Sequence, residues 1–206
     1  AYIAVADSLL YTVTSEGDIS AFDLATFQPQ PLIGLPKLPM QMDSASRNRV
    51  DLSAAHFRAL DIYVDTDPTG SHTIYISHHR YEPGENCVSM VVSKIIGKPE
   101  GDRFNASSGW ETLFRASPCL KPENTNGGEP VFRIRQTSGG IISSYRDSLL
   151  LLTTGDYVFN TTDDAYAITL DNSYGKIMQI NKSTGTTSVF ALGLRNAQGL
   201  YVDSSE

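Results

Sequence analysis

The residues best equipped for chemistry lie between Ser148 and Asp203, in two short polar signatures: Thr154-Gly155-Asp156 and Gly193-Leu194-Arg195-Asn196-Ala197-Gln198-Gly199. In a repeated fold, a buried aspartate such as Asp156 caps a turn, and an arginine such as Arg195 bridges neighbouring units through a two-pronged hydrogen bond. Other candidates stand elsewhere. His78-His79 follow a strand-like run, but adjacent strand residues point to opposite faces and do not readily share one ion. His56 and His72 stand alone and read as surface or loop histidines. Asp163-Asp164 and Asp171-Asn172 make an oxygen-rich stretch of the kind that can hold calcium. They lack EF-hand spacing and read as a solvated loop. No metal site is expected from either group.

The chain has two cysteines, Cys87 and Cys119. Cys119 sits beside a proline, an unusual setting for a core thiol, so one disulfide in an oxidising compartment is expected. Three Asn-x-Ser/Thr sequons, at Asn105, Asn160 and Asn181, fall in turn-like contexts and predict glycosylation of a secreted, extracellular or periplasmic protein. The net charge of −7 leaves no basic stripe for phosphates, which excludes nucleic acid and disfavours an anionic membrane surface. The longest apolar runs, such as Leu149–Leu152, fall far short of the roughly 20 residues that span a bilayer. No leader segment is legible at Ala1, and any such segment is expected to have been removed or to lie outside this stretch.

Strands must position these groups. No window carries a capped period of 3.6, and Leu52–Leu60 is allowed one helical turn at most. Leu9–Thr14, Ile19–Leu24 and a proline-marked edge strand over Gln30–Leu35 open the chain. Leu60–Asp65 pairs with Thr73–His78, followed by Cys87–Ile96 and Trp110–Phe114. Arg80–Asn86 and Gly97–Gly109, rich in Gly, Pro, Asp and Asn, read as loops. The order of features that begins at Ser8 returns at Ser148 and, after an insertion, at Gly175: Ser-Leu-Leu, an apolar strand, a glycine with a charged residue, Ile, an alternating strand, a turn and a closing Gly-Leu. Repeated small antiparallel sheets at roughly 40–50-residue spacing predict an all-β β-propeller, since one blade cannot bury both faces alone. A β-sandwich is the alternative. The blade-like units fall near 1–50, 51–137 and 138–206, roughly three to four blades. The chain is therefore expected to be a partial propeller, part of a longer chain, that other protein segments or chains complete.

Four signatures in order carry a family likeness: Gly139-Gly140, Thr154-Gly155-Asp156, Gly175-Lys176-Ile177 and Gly193 to Leu200. The chain resembles the glucose/sorbosone dehydrogenase family, soluble quinoprotein sugar dehydrogenases built on a six-bladed propeller. The likeness is firm over Ser138–Asp203 and diffuse over 50–137. It implies a site for pyrroloquinoline quinone (PQQ) with calcium at the top of the propeller. The family's quinone-contacting pair falls on Arg195 and Asn196, and the aspartate that orients its catalytic histidine falls on Asp156. A guanidinium fork suits a tricarboxylate, and a histidine base takes the sugar hydroxyl proton as hydride leaves for the quinone. That histidine is here Thr137, which cannot act as a base near neutral pH, and the histidine and proline of the family's Gly-His-Arg-Asn-Pro-Gln-Gly are Leu194 and Ala197. The family's calcium loop and later basic residues lie beyond Glu206 if present. The expectation is a non-catalytic extracellular binding or structural module, with carbohydrate as a partner. The alternative is a PQQ-dependent sugar dehydrogenase.

Overall fold

The computed structural model describes residues 1–41, 57–121, 125–126, 129–130, 138–157 and 165–203. These form three large antiparallel sheets and one two-stranded hairpin, and the large sheets run as meanders in chain order except where one strand of the second returns to an earlier one. The first holds β1 (Tyr2–Ala6), β2 (Leu9–Val13), β3 (Ile19–Asp23) and β4 (Pro29–Gln30). The second holds β5 (Ala59–Thr66), β6 (His72–Glu82), β7 (Cys87–Glu100) and β8 (Arg103–Ala106), with β9 (Glu111–Arg115) sharing the outer edge of β7. A short hairpin, β10 (Thr125–Asn126) and β11 (Glu129–Pro130), precedes the third sheet of β12 (Gly139–Tyr145), β13 (Leu149–Thr154), β14 (Lys176–Asn181) and β15 (Thr187–Leu192). The insertion between β13 and β14 carries a single 3-10 turn at Tyr166–Ile168. Among the described residues no helix is long and apolar enough to cross a membrane.

The first strands lie side by side, with β5 packed against both β1 and β12. This is the arrangement of propeller blades, whose innermost strands neighbour one another. The chain is thus all-β, a partial propeller whose described residues supply three blade-like sheets. Strand alternation drives the packing: Leu9, Tyr11 and Val13 of β2 are buried while Leu10 and Thr12 between them are partly exposed. They join Ile62, Val64, Ile74 and Ile76 of the second blade in one apolar cluster that continues to Leu150, Leu152 and Ile180 of the third.

The internal repeat holds at atomic detail. Asp23 Oδ1 accepts the N–H groups of Ala25 and Thr26, and Asn181 Oδ1 accepts those of Ser183 and Thr184. In both turns the N–H of the fifth residue, Phe27 or Gly185, donates to the carbonyl of the first. Both fifth residues adopt positive φ, 55° and 70°. Leu24 and Lys182 donate their N–H groups to Ser8 and Ser148, the serines that open each copy.

Two readings are corrected. Gly97–Gly109 is mostly strand, because β7 runs on to Glu100 and β8 turns back on its end, whereas in Arg80–Asn86 only Arg80–Glu82 continues β6 and the rest is the turn of the β6–β7 hairpin. Gly97 is a packing site and not a loop marker: a Cβ there would lie 2.4 Å from the Phe104 ring. In Gln30–Leu35 only Gln30 belongs to a strand, while Ile33 makes a parallel bridge to Arg103 and so stitches the first blade to the second. Of the one allowed helical turn, residues 52–56 lie outside the described residues, and its end, Ala59–Leu60, starts β5.

The two cysteines form the expected disulfide, Cys87–Cys119, which ties the start of β7 to the segment after β9. Reciprocal main-chain bonds between Val88 and Leu120, at 2.8 and 2.9 Å, lie directly beside it.

Candidate functional site

All four signatures meet at one end of the third blade, because β12 and β14 begin there and β13 and β15 finish there. Gly139 pairs with Thr154, and Lys176 with both Thr154 and Leu192. Main-chain bonds knit the turns together. Gly155 donates to the Ser138 carbonyl at 2.7 Å, Asp156 to that of Arg195 at 2.9 Å, Gly175 to that of Gly155 at 3.0 Å, and Leu194 to that of Gly175 at 2.9 Å. Asn196 Oδ1 accepts the Gly139 N–H at 3.3 Å, and the Thr153 hydroxyl donates to the Ala197 carbonyl at 3.0 Å. Two glycines are obligatory. Gly140, at φ 101°, would put a Cβ 2.5 Å from that of Leu60, and Gly175, at φ 69°, would strike Ala167 at the same distance.

The predicted residues divide by exposure. Asp156 is buried, Asn196 half-buried and Arg195 exposed on the rim. The side chains of Asp156 and Arg195 thus sit at different depths, although their main chains are bonded. Thr137, Asn160, Asp163 and Asp164, as well as His56, lie outside the described residues. Asn105 is exposed on β8 and Asn181 partly exposed at the end of β14.

Several groups around this end escaped the sequence reading. His79 and Tyr157 bond across the junction of the second and third blades, Nε2 to hydroxyl, at 2.7 Å. Tyr157 follows Asp156 with φ 51° and meets Tyr174 edge-on at 5.3 Å, and Tyr166 stacks on Tyr174. Burial raises the hydroxyl pKa of both Tyr157 and Tyr174 well above the ordinary tyrosine value. Lys176 is fully buried, and its ammonium donates to the Tyr166 carbonyl at 2.6 Å, the Tyr174 carbonyl at 2.7 Å and Asn172 Oδ1 at 3.0 Å. Lys176 therefore clamps the insertion onto the blade, and Asn172 is part of that clamp. The sequence marked Lys176 as part of the Gly175-Lys176-Ile177 signature but did not show that its ammonium is buried.

His78 and His79 face opposite sides. His78 is fully buried, with Nε2 on the Ser93 hydroxyl at 2.8 Å and Nδ1 on the His79 carbonyl at 2.9 Å. Burial lowers its pKa to about 4. His72, read as a surface or loop histidine, is in fact 2% exposed and bonded to Tyr11 and Asp7. Other acidic residues staple blades: Asp61 accepts the Ile142 N–H at 2.9 Å, and Asp65 pairs with Lys182 at 2.7 Å.

The family model for glucose/sorbosone dehydrogenase matches residues 17–206. No curated protein sequence is significantly similar to the chain.

Proposed function

Because the chain belongs to the glucose/sorbosone dehydrogenase family, we propose that it keeps the propeller of the quinoprotein sugar dehydrogenases as a secreted, glycosylated, non-catalytic binding or structural module. One feature of the likeness carries this reading. By that likeness the proton-abstracting histidine falls on Thr137, and Asp156, which would orient it, is buried with its N–H bonded to the Arg195 carbonyl. A threonine hydroxyl titrates far above neutral pH and takes no proton from a sugar.

The residues present fit PQQ in part. Arg195 presents an exposed guanidinium suited to a carboxylate of the quinone, and Asn196 already spends its side-chain oxygen on Gly139. When bound, PQQ supplies the hydride acceptor. The exposed Arg195 is what favours the second reading, a PQQ-dependent sugar dehydrogenase whose base comes from elsewhere. The partners of the module are carbohydrate at the rim and the protein segments or chains that complete the propeller. Ile3 and Val5 on β1 and Phe190 and Leu192 on β15 stand exposed, and further blades would cover such apolar surface.

The test is a titration with PQQ and calcium, followed by addition of aldose sugars and absorbance spectroscopy of the quinone. The binding-module reading expects no sugar-dependent reduction. Saturable stoichiometric binding with sugar-dependent bleaching would establish the dehydrogenase instead.

A further inference from the structure

The first and third blades each turn one sheet face away from the second. On β1, Tyr2 and Ala4 pack into the core, while Ile3 and Val5 between them are 65% and 55% exposed. Residues opposite one another on antiparallel strands share a face. The register therefore carries this face across the blade, with Ile3 beside Thr12 and Ser20, and Val5 beside Leu10 and Phe22. On the third blade, Gly140 and Ser144 look toward the second, the one against Leu60 and the other tied through Lys182 to Asp65. Ser143 and Tyr145, which alternate with them, look away. Ser143 lies beside Leu151 and, through it, Gln179, and Tyr145 lies beside Leu149. The β14–β15 ladder slips at Phe190, whose half-exposed ring meets Tyr145 edge-on at 5.5 Å.

Neither set contains a charge, in a chain with 16 basic and 23 acidic residues. The solvated face of an antiparallel sheet reads polar at alternate positions, whereas these faces read as core. The middle blade gives the contrast. Among the described residues, every exposed large apolar side chain belongs to the first or third blade or to a segment joined to them, and none to the second.

The joined blades show what fits each bare face. The second blade packs on the first with one face and on the third with the other. The bare face of the first blade is the kind that the second and third turn toward the blade before them. The bare face of the third is the kind that the first and second turn toward the blade after them. The two bare faces thus match each other as the joined faces do. Three blades fall short of the roughly four to eight that close a propeller, so they do not meet within these sheets. Two copies joined head to tail supply six blades, and a third copy exceeds that range. A head-to-tail contact whose rotation closes gives a ring and not a filament.

We infer that these two faces bind a second copy of this chain, the first blade of each copy seated on the third blade of the other, in a closed ring of two. The inference rests on the reading above that partners complete the propeller, and it names the partner.

Sedimentation equilibrium of the full chain from about 1 μM to about 1 mM tests it. The expected result is a saturable step from 22.5 kDa to twice that mass with no larger species, and a melting temperature that rises with protein concentration. V5E and F190E each place a carboxylate in both contacts of the ring and weaken association about a hundredfold or more. I33E, at an exposed residue on neither face, leaves association unchanged. An equimolar mixture of V5E and F190E joins the intact face of each and regains a pair held by one contact. Two like faces joined by a twofold axis would instead leave one of these variants fully dimeric. Circular dichroism checks that each variant keeps its strands, and where one does not, the concentration dependence of the wild-type melting temperature carries the test. The inference is overturned if the wild-type chain stays monomeric throughout, which would leave the faces to further blades, or if its mass grows without limit. It is also overturned if I33E matches V5E, or if V5E or F190E alone dimerises as the wild type does. A monomer leaves the non-catalytic reading standing, and sugar-dependent reduction of the quinone overturns that reading without touching the mass.

Discussion

Replacing Lys176 by methionine removes a cation from a fully buried position while keeping an unbranched side chain of similar length. The ammonium gives one hydrogen bond each to Tyr166, Tyr174 and Asn172, at 2.6, 2.7 and 3.0 Å. Each acceptor left dry costs about 1–3 kcal/mol. Against this stands the relief of no longer desolvating an ammonium, a term of several kcal/mol. Because the orphaned acceptors are neutral, the two effects partly cancel, and a net loss of about 2–4 kcal/mol is expected, a large share of the roughly 5–15 kcal/mol that holds a domain together. Urea unfolding of the full chain followed by circular dichroism measures it, with hydrogen exchange at Gly175 and Leu194 reporting local loosening. The lysine also sets a pH signature. Burial lowers its pKa below the ordinary 10.5, opposed by the nearby carboxylate of Asp171. Between that lowered value and 10.5 this lysine holds more protons in the unfolded chain than in the native one, so its contribution to native stability rises with pH through this window, against the opposite contribution of the buried tyrosines. K176M abolishes that rise. A loss below about 0.5 kcal/mol, with the alkaline rise intact, would show that the ammonium does not clamp the insertion.

His78 gives the mirror-image experiment in acid. Its native value of about 4 lies below the ordinary 6.5, so between these pH values the unfolded chain takes up a proton that the native state refuses. Stability therefore falls as the pH drops through that window, by about 3 kcal/mol from this group, and urea midpoints of H78Q fall less steeply there. Reduction of Cys87–Cys119, 32 residues apart in sequence, removes a chain-entropy contribution of about 4 kcal/mol. The melting temperature should drop by roughly 10 °C in calorimetry with reductant. After passage through a secretory pathway, intact-mass measurement should find a glycan at the exposed Asn105 that N105Q eliminates. Asn181, whose side-chain oxygen caps its own turn, should be modified less completely.

What could be read from the sequence was what repeats. Ser8 and Ser148, and the Asp23 and Asn181 turns, recur because the same short-range geometry recurs, and short-range geometry is written in adjacent residues. The second blade was harder. Its glycines and prolines suggested loops, yet Gly97 lies in a strand because the Phe104 ring needs the space of a missing Cβ. Contacts between blades were invisible. The Ser77 hydroxyl reaches the Gly140 carbonyl, Asp61 the Ile142 amide and His72 the Asp7 carboxylate, each across more than sixty residues, and no local pattern announces such pairs. Asp156 could be singled out from its motif, but its burial, which decides what it can touch, follows from the packing of the whole blade.

The site end shows how much of a family signature is blade architecture. The glycines at 140 and 175 are demanded by Leu60 and Ala167, Thr153 and Asn196 hold main-chain partners, and the main-chain N–H of Asp156 fastens the carbonyl of Arg195. Every one of these positions is constrained by the fold before any ligand arrives. Among the described groups that the family likeness assigns to quinone chemistry, the Arg195 side chain stands exposed. The presence of Thr-Gly-Asp and Gly-Leu-Arg-Asn thus argues for blade architecture, and the exposed guanidinium is the place where binding would have to be detected.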